Sequence, residues 1–202
     1  MNPTKTADAR GSVLRRVVAT VALANLAYFG VEFAVALSIG SVSLFADSVD
    51  FLEDAAVNLL IVAALGWPPR ARARLGMGLA AILLVPAIAT LWTAGHKFAH
   101  PVAPEPFALS ITGLGALVVN LGCALLLAGF RRHSGSLTKA AFLSARNDAI
   151  ANVAIICAAL VTAAVWNSAW PDLIVGLGIA IMNADAAHEV WSAAREEHRA
   201  AA

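Results

Sequence analysis

Charge is scarce in this chain. Aspartate, glutamate, lysine and arginine make up 13% of its 202 residues, where a soluble domain carries about 25%. With 60% hydrophobic residues and a mean hydropathy of +0.77, that shortage excludes an ordinary soluble fold and predicts an integral membrane protein. Cysteine is as sparse. Cys123 and Cys157 lie inside apolar runs with no zinc-ligand spacing, which argues against a disulfide framework and reads as two small core residues. The N-terminal decapeptide ending at Arg10 lacks the apolar core of a signal peptide, so no cleaved leader is expected. The net charge of +1 points to no class of partner, and no nucleic acid is expected.

Long apolar runs are what the chain has instead. A span needs about 20 mostly apolar residues, and six segments qualify: 15–39, 42–66, 75–96, 107–130, 139–166 and 171–194. Turn signals separate them at Ile39-Gly40-Ser41, Gly66 to Pro69, Pro101 to Pro106, His133 to Ser136 and Trp166 to Pro171. An open chain in lipid satisfies its backbone only as helices. The expected fold is therefore all-α, a bundle of six transmembrane helices over 15–195, with tails at 1–14 and 196–202. Basic residues set the orientation. Lys5, Arg10, Arg15, Arg16, Arg70, Arg72, Arg74, Arg131, Arg132, Lys139, Arg195 and Arg199 all fall on one side, against Lys97 alone on the other. Positive residues mark the cytosolic side, so both termini are expected in the cytosol.

Two of these runs carry acids. One is Leu44-Phe-Ala-Asp-Ser-Val-Asp-Phe-Leu-Glu-Asp54, and the other is Phe142-Leu-Ser-Ala-Arg-Asn-Asp148. A carboxylate at the centre of a membrane helix costs roughly 2.5–3.5 kcal/mol on insertion scales, so a compensating group is required. Asp50 and Asp54 are four apart and share a helix face. At 1.5 Å per residue, Asp50 lies roughly 12 Å and Asp54 roughly 18 Å from the start of their span, and Asp148 about 14 Å from the start of its own. The two spans run in opposite directions, so all three converge near the midplane of a core about 30 Å thick. Glu53 and Arg146 fall off that shared face. Carboxylates packed without a cation repel one another and take up protons, and a divalent cation displaces those protons because its ligands must be deprotonated. That is the chemistry of metal–proton exchange. The bland alternative is that the acids pair with each other or with Arg146 to hold helices together. An intramembrane aspartyl hydrolase would need a positioned water and a paired-aspartate context that the sequence does not show, so no catalytic residues and no cofactor are expected.

Other polar residues read less sharply. Glu32 and Asp47 lie nearer the opposite end from the termini; lining a translocation path and helix–helix hydrogen bonding both remain open for them. Asn25, Asn58, Asn120 and Asn152 read as interhelical hydrogen-bond donors, and Gly113, Gly115, Gly122, Gly176 and Gly178 as close-packing positions. His96 and His100 read as surface imidazoles in a loop. His133 is too solitary to collect metal, and Asp185 with His188 offers at most a weak entrance site.

The ordered set resembles the cation diffusion facilitator (cation efflux) family. It comprises Asn25-Leu-Ala-Tyr-Phe-Gly-Val-Glu32, Gly40-Ser-Val-Ser-Leu-Phe-Ala-Asp47 leading to Asp50-Phe-Leu-Glu-Asp54, His100-Pro101, Asn120, Ala141-Phe-Leu-Ser-Ala-Arg-Asn-Asp148 and Trp170-Pro-Asp172, and it covers about 14–195. The resemblance implies a six-helix exporter of zinc or a related divalent metal (manganese, cobalt, cadmium, iron) against protons, in a bacterial inner membrane. It implies an ion held by Asp50 and Asp54 with a fifth-helix pair at Ser144 and Asp148. Ser144 stands where relatives carry His or Asp, leaving three strong ligands, with Ser144, Asn147, water or, despite pointing off the Asp50/Asp54 face, Glu53 as the fourth. An all-oxygen set suits harder ions such as manganese. Zinc ranks first as the commonest family substrate. The family's cytosolic C-terminal domain is absent from the sequence read, so a homodimer would form through the spans. That absence, with the missing histidine, keeps a non-transporting metal sensor or accessory subunit open as the alternative.

Overall fold

A computed structural model describes residues 3–64, 74, 78, 88–129 and 135–200, with side chains described for only part of the helix ends. Six helices and no strand occur among the described residues: α1 (Pro3–Ile39), α2 (Val42–Ala64), α3 (88–99), α4 (Pro106–Ala128), α5 (Gly135–Ala164) and α6 (Trp170–Ala200). The expected all-α bundle is what forms. α1 begins at Pro3 and α6 runs through to Ala200, so helix extends beyond the apolar spans at both ends. Three helical stretches are long and apolar enough to cross a membrane: Ser12–Ile39, Pro106–Ala128 and Ala145–Ala164. The chain is a membrane protein. α2 carries four acids between Asp47 and Asp54, and in α6 the apolar stretch is the shorter Trp170–Met182. Most of the expected third span (75–87), the Gly66–Pro69 turn, Arg70, Arg72, Arg131, Arg132 and His133 lie outside the described residues, as do the side chains of Lys139, Arg195 and Arg199.

The connections at 40–41, 100–105 and 165–169 gather at the end of the bundle opposite the termini. α1 packs along α2, α4 along α5, and α6 against α2 and α5. Between the helices lie apolar clusters such as Leu44, Phe45, Leu109 and Ile155, all buried, while Leu125, Ile150, Val118 and Ile181 face outward. An apolar exterior is what lipid requires. Tyr28 of α1 donates its hydroxyl to the Thr112 carbonyl of α4 at 2.6 Å, and Gly115 makes room, because a Cβ there would overlap the Tyr28 hydroxyl.

The first turn of the chain has a specific design. Gly40 takes φ +62°, the left-handed conformation that glycine adopts without a Cβ clash. The Ser41 amide then donates back to the Ala36 carbonyl at 3.0 Å, closing α1 with a Schellman motif. Ser41 also opens α2, since its Oγ accepts from the Leu44 amide at 3.1 Å as an N-cap.

Asp172, in the first turn of α6, completes that N-terminus. Its carboxylate accepts from the Val42 amide (2.9 Å), the Ser43 amide (3.2 Å), and the Ser41 and Ser43 hydroxyls (2.6 Å each). Lys97 of α3 adds an ion pair at 3.0 Å and donates to the Gly40 carbonyl as well. Asp172 is wholly buried. The helices approach this closely because Gly176, one turn on, lies against the α2 backbone; a Cβ there would sit 2.8 Å from the Ser43 nitrogen. Lys97, from sequence only the lone cation of a loop, is therefore an internal strut. Removing one partner of a buried ion pair strands the other charge, at about 3–5 kcal/mol. Asp172→Ala is expected to lower stability by that order in denaturant unfolding of the detergent-solubilised protein, and Lys97→Met combined with Asp172→Leu by less.

Candidate metal-translocation site

The acids of α2 turn inward because lipid offers them nothing. Asp47 is fully buried, Asp54 and Glu53 are buried, and Asp50 is partly buried; on α5, Asp148 is partly buried. One hydrogen bond fixes how these helices face each other. Asn152 of α5 donates its Nδ2 to Asp47 Oδ2 at 2.5 Å, and Asn120 of α4 donates to Asn152 Oδ1 at 3.0 Å. α2 and α5 are antiparallel, so one turn from Asp47 reaches Asp50 as one turn from Asn152 reaches Asp148. Asp50 and Asp148 thus share a level, and the next turn brings Asp54 level with position 144.

The carboxylates at these levels lie within electrostatic reach of one another: Asp148 senses Asp54, Asp47 and Glu53, and Asp50 senses Asp148, Asp47, Glu53 and Asp54. Among the described residues no three His, Cys, Asp or Glu side chains close into a ready-made metal cage. The arrangement is a loose convergence of anions from two helices. The Ser144 backbone belongs to α5, but its side chain lies outside the described residues. Asn147 is exposed and accepts from Arg146 Nη2 at 3.2 Å, on a face of α5 turned away from the buried acids. Asp185 and His188 are both exposed on α6.

Further residues adjoin these acids, among them Asn25 in the interhelical role read from the sequence. Glu53, expected off the shared face, is buried and within electrostatic reach of both Asp50 and Asp148. Asn25 of α1 donates to Asp54 Oδ2 at 3.3 Å, and Cys123 of α4 donates its thiol to Asn25 Oδ1 at 3.5 Å. Cys123 feels the charges of Asp54 and Asp148. Placed among core residues from its apolar neighbours, it borders the acid centre. A polar residue at 25 and a thiol at 123 have no shared sequence signal; only the packing of α1 and α4 on α2 joins them. Asn58 bonds the Asp54 carbonyl at 2.8 Å, within its own helix rather than between helices.

On the side towards the Gly40 turn stands a second carboxyl pair. Glu32 of α1 is fully buried and neither of its oxygens has a hydrogen-bond donor among the described residues, and Asp47 Oδ1 has none either. The two side chains lie within electrostatic reach of each other. Buried oxygens without a donor are costly, and a proton or a cation is the group that can satisfy them.

The profile of the cation efflux transmembrane domain matches residues 18–196. The chain belongs to the cation efflux family. It is accordingly a metal cation transporter and not an enzyme. No curated protein matches the chain. In this cation efflux protein the Asn120–Asn152–Asp47 chain joins three helices beside the acids. Asn152→Leu leaves Asp47 Oδ2 and the Asn120 amide without their partners, and each stranded buried group costs about 1–3 kcal/mol. A loss of stability in that range is expected in thermal or denaturant unfolding, with partial recovery in Asn120→Leu/Asn152→Leu.

Proposed function

We propose that the chain exports divalent metal ions from the cytosol in exchange for protons, by alternating access around Asp50, Asp54 and Asp148. The observation that carries this reading is the antiparallel register set by the Asp47–Asn152 bond, which levels Asp50 with Asp148 inside a bundle of cation efflux type. Zinc is the first candidate cargo, with manganese, cobalt, cadmium and iron as relatives. Carboxylates from two helices bind a divalent ion only as they give up protons, which couples the two fluxes. Ser144 supplies a weak fourth ligand with water as its substitute, Asn147 being turned away on the exposed face of α5, and Asn25 orients Asp54 from behind.

The path continues through Asp47 and Glu32, whose donor-free oxygens lie between the acid centre and the Gly40 end. The distribution of lysine and arginine puts that end outside the cell and both termini in the cytosol, across a bacterial inner membrane. The transporter unit is 15–195, flanked by tails at 1–14 and 196–202, and a homodimer forms through the spans. Exchanging one divalent ion outward for one proton inward moves net charge against an inside-negative potential, at about 2.3 kcal/mol per charge per 100 mV. The pH gradient then has to supply the work.

Proteoliposomes test this. The wild-type protein is expected to load zinc with proton counterflow, and Asp54→Asn or Asp148→Asn to abolish loading while the fold persists in circular dichroism. Equal, proton-uncoupled loading by wild type and Asp54→Asn would overturn the transport reading in favour of a metal sensor or accessory subunit. Ser144→His is expected to shift metal competition towards zinc, and no shift would put position 144 off the site.

A further inference from the structure

One pair of metal-ligating side chains lies outside the acid centre, at the other end of α3. His96 and His100 are one helical turn apart, and the His100 amide donates to the His96 carbonyl at 3.0 Å, so helical geometry holds through the pair. Imidazoles at i and i+4 share a helix face, the spacing by which two histidines grip one metal in helical zinc motifs. Here the ring centroids are 5.1 Å apart with planes inclined at 48°. Two imidazoles bound to one tetrahedral zinc through nitrogens at about 2.0–2.1 Å hold their ring centres about 5 Å apart. The observed separation is compatible with a shared ion, and the inclination departs from parallel stacking.

Both rings are exposed, and among the described residues no side-chain hydrogen bond or ion pair engages either one. Their backbone is held firmly. Between them Lys97 turns inward to Asp172 and Gly40, and Phe98 meets the Trp170 ring edge-on with centroids 5.0 Å apart. A pair of ligands on a fixed segment loses little freedom on binding, and the second imidazole closes intramolecularly.

We propose that His96 and His100 form a surface bis-imidazole site for a borderline divalent cation, of the zinc, nickel or copper(II) class, completed by water. Nitrogen donors favour these ions over manganese, magnesium or calcium. The site differs in kind from the acid centre, which is all oxygen, and binding here does not depend on whether those acids carry cargo.

Copper(II) electron paramagnetic resonance on the full chain in lipid nanodiscs is the test, because nitrogen and oxygen ligation give different spectra. The wild-type protein is expected to show coupling to two imidazole nitrogens at one equivalent of copper(II). His96→Ala and His100→Ala are each expected to remove that signature and weaken the nitrogen-ligated site about tenfold or more. His188→Ala is expected to leave it intact; because copper(II) outranks zinc at nitrogen donors, zinc is expected to displace it only in large excess, and manganese not at all. Both substitutions fall on exposed side chains, and unchanged thermal unfolding confirms that the fold survives. No bis-imidazole signature in the wild-type protein, or a signature that persists in either alanine variant, overturns the proposal.

Discussion

A carboxylate taken out of water must find donors or a cation, and at Asp172 the protein supplies both. Two backbone amides, two serine hydroxyls and the Lys97 ammonium converge on one side chain. Bonds to ionised groups are roughly twice as strong as neutral ones. Here they also tie the α1–α2 turn, the end of α3 and the start of α6 into one junction. The positions of the functional helices follow from it. α2 starts where Asp172 caps it, and the acids on α2 take their depth from that start.

Glu32 and Asp47 face the same physical demand and meet it differently. Asn152 supplies Asp47 with one donor, and the remaining three oxygens of the pair have none among the described residues. The contrast separates two uses of buried charge. A fully satisfied carboxylate such as Asp172 has nothing left to bind and serves architecture. A pair with open lone pairs retains the capacity to take up a proton or a cation, which is the capacity transport needs. The acid centre around Asp50, Asp54 and Asp148 is intermediate, drawn together by register and braced by Asn25 without closing into a cage.

Much of this was legible in the sequence, for reasons that differ by residue. Apolar runs and their breaks located the helices because lipid imposes a length and forbids unpaired backbone. The depths of Asp50, Asp54 and Asp148 followed from counting residues along rigid rods, and the Asp47–Asn152 bond is consistent with that count. What the sequence did not reveal depends on lateral packing between distant helices. Lys97 looked like a stray loop cation because its partner is 75 residues away. Cys123 looked like core because its sequence neighbours are apolar. Glu53 was placed off the acid face by ideal helical spacing, yet a bundle buries more than one face of its central helix.

The close approach at Gly176 has a mechanical consequence. With no side chain between the α6 backbone and the start of α2, and with Asp172 clamped across the gap, the two helices cannot slide or rotate past each other there. They form one stiff lever, with Lys97 as its brace. Any change of access must then bend or splay the bundle elsewhere. Under the alternating access proposed above, the Gly40 end would then serve as the fixed point.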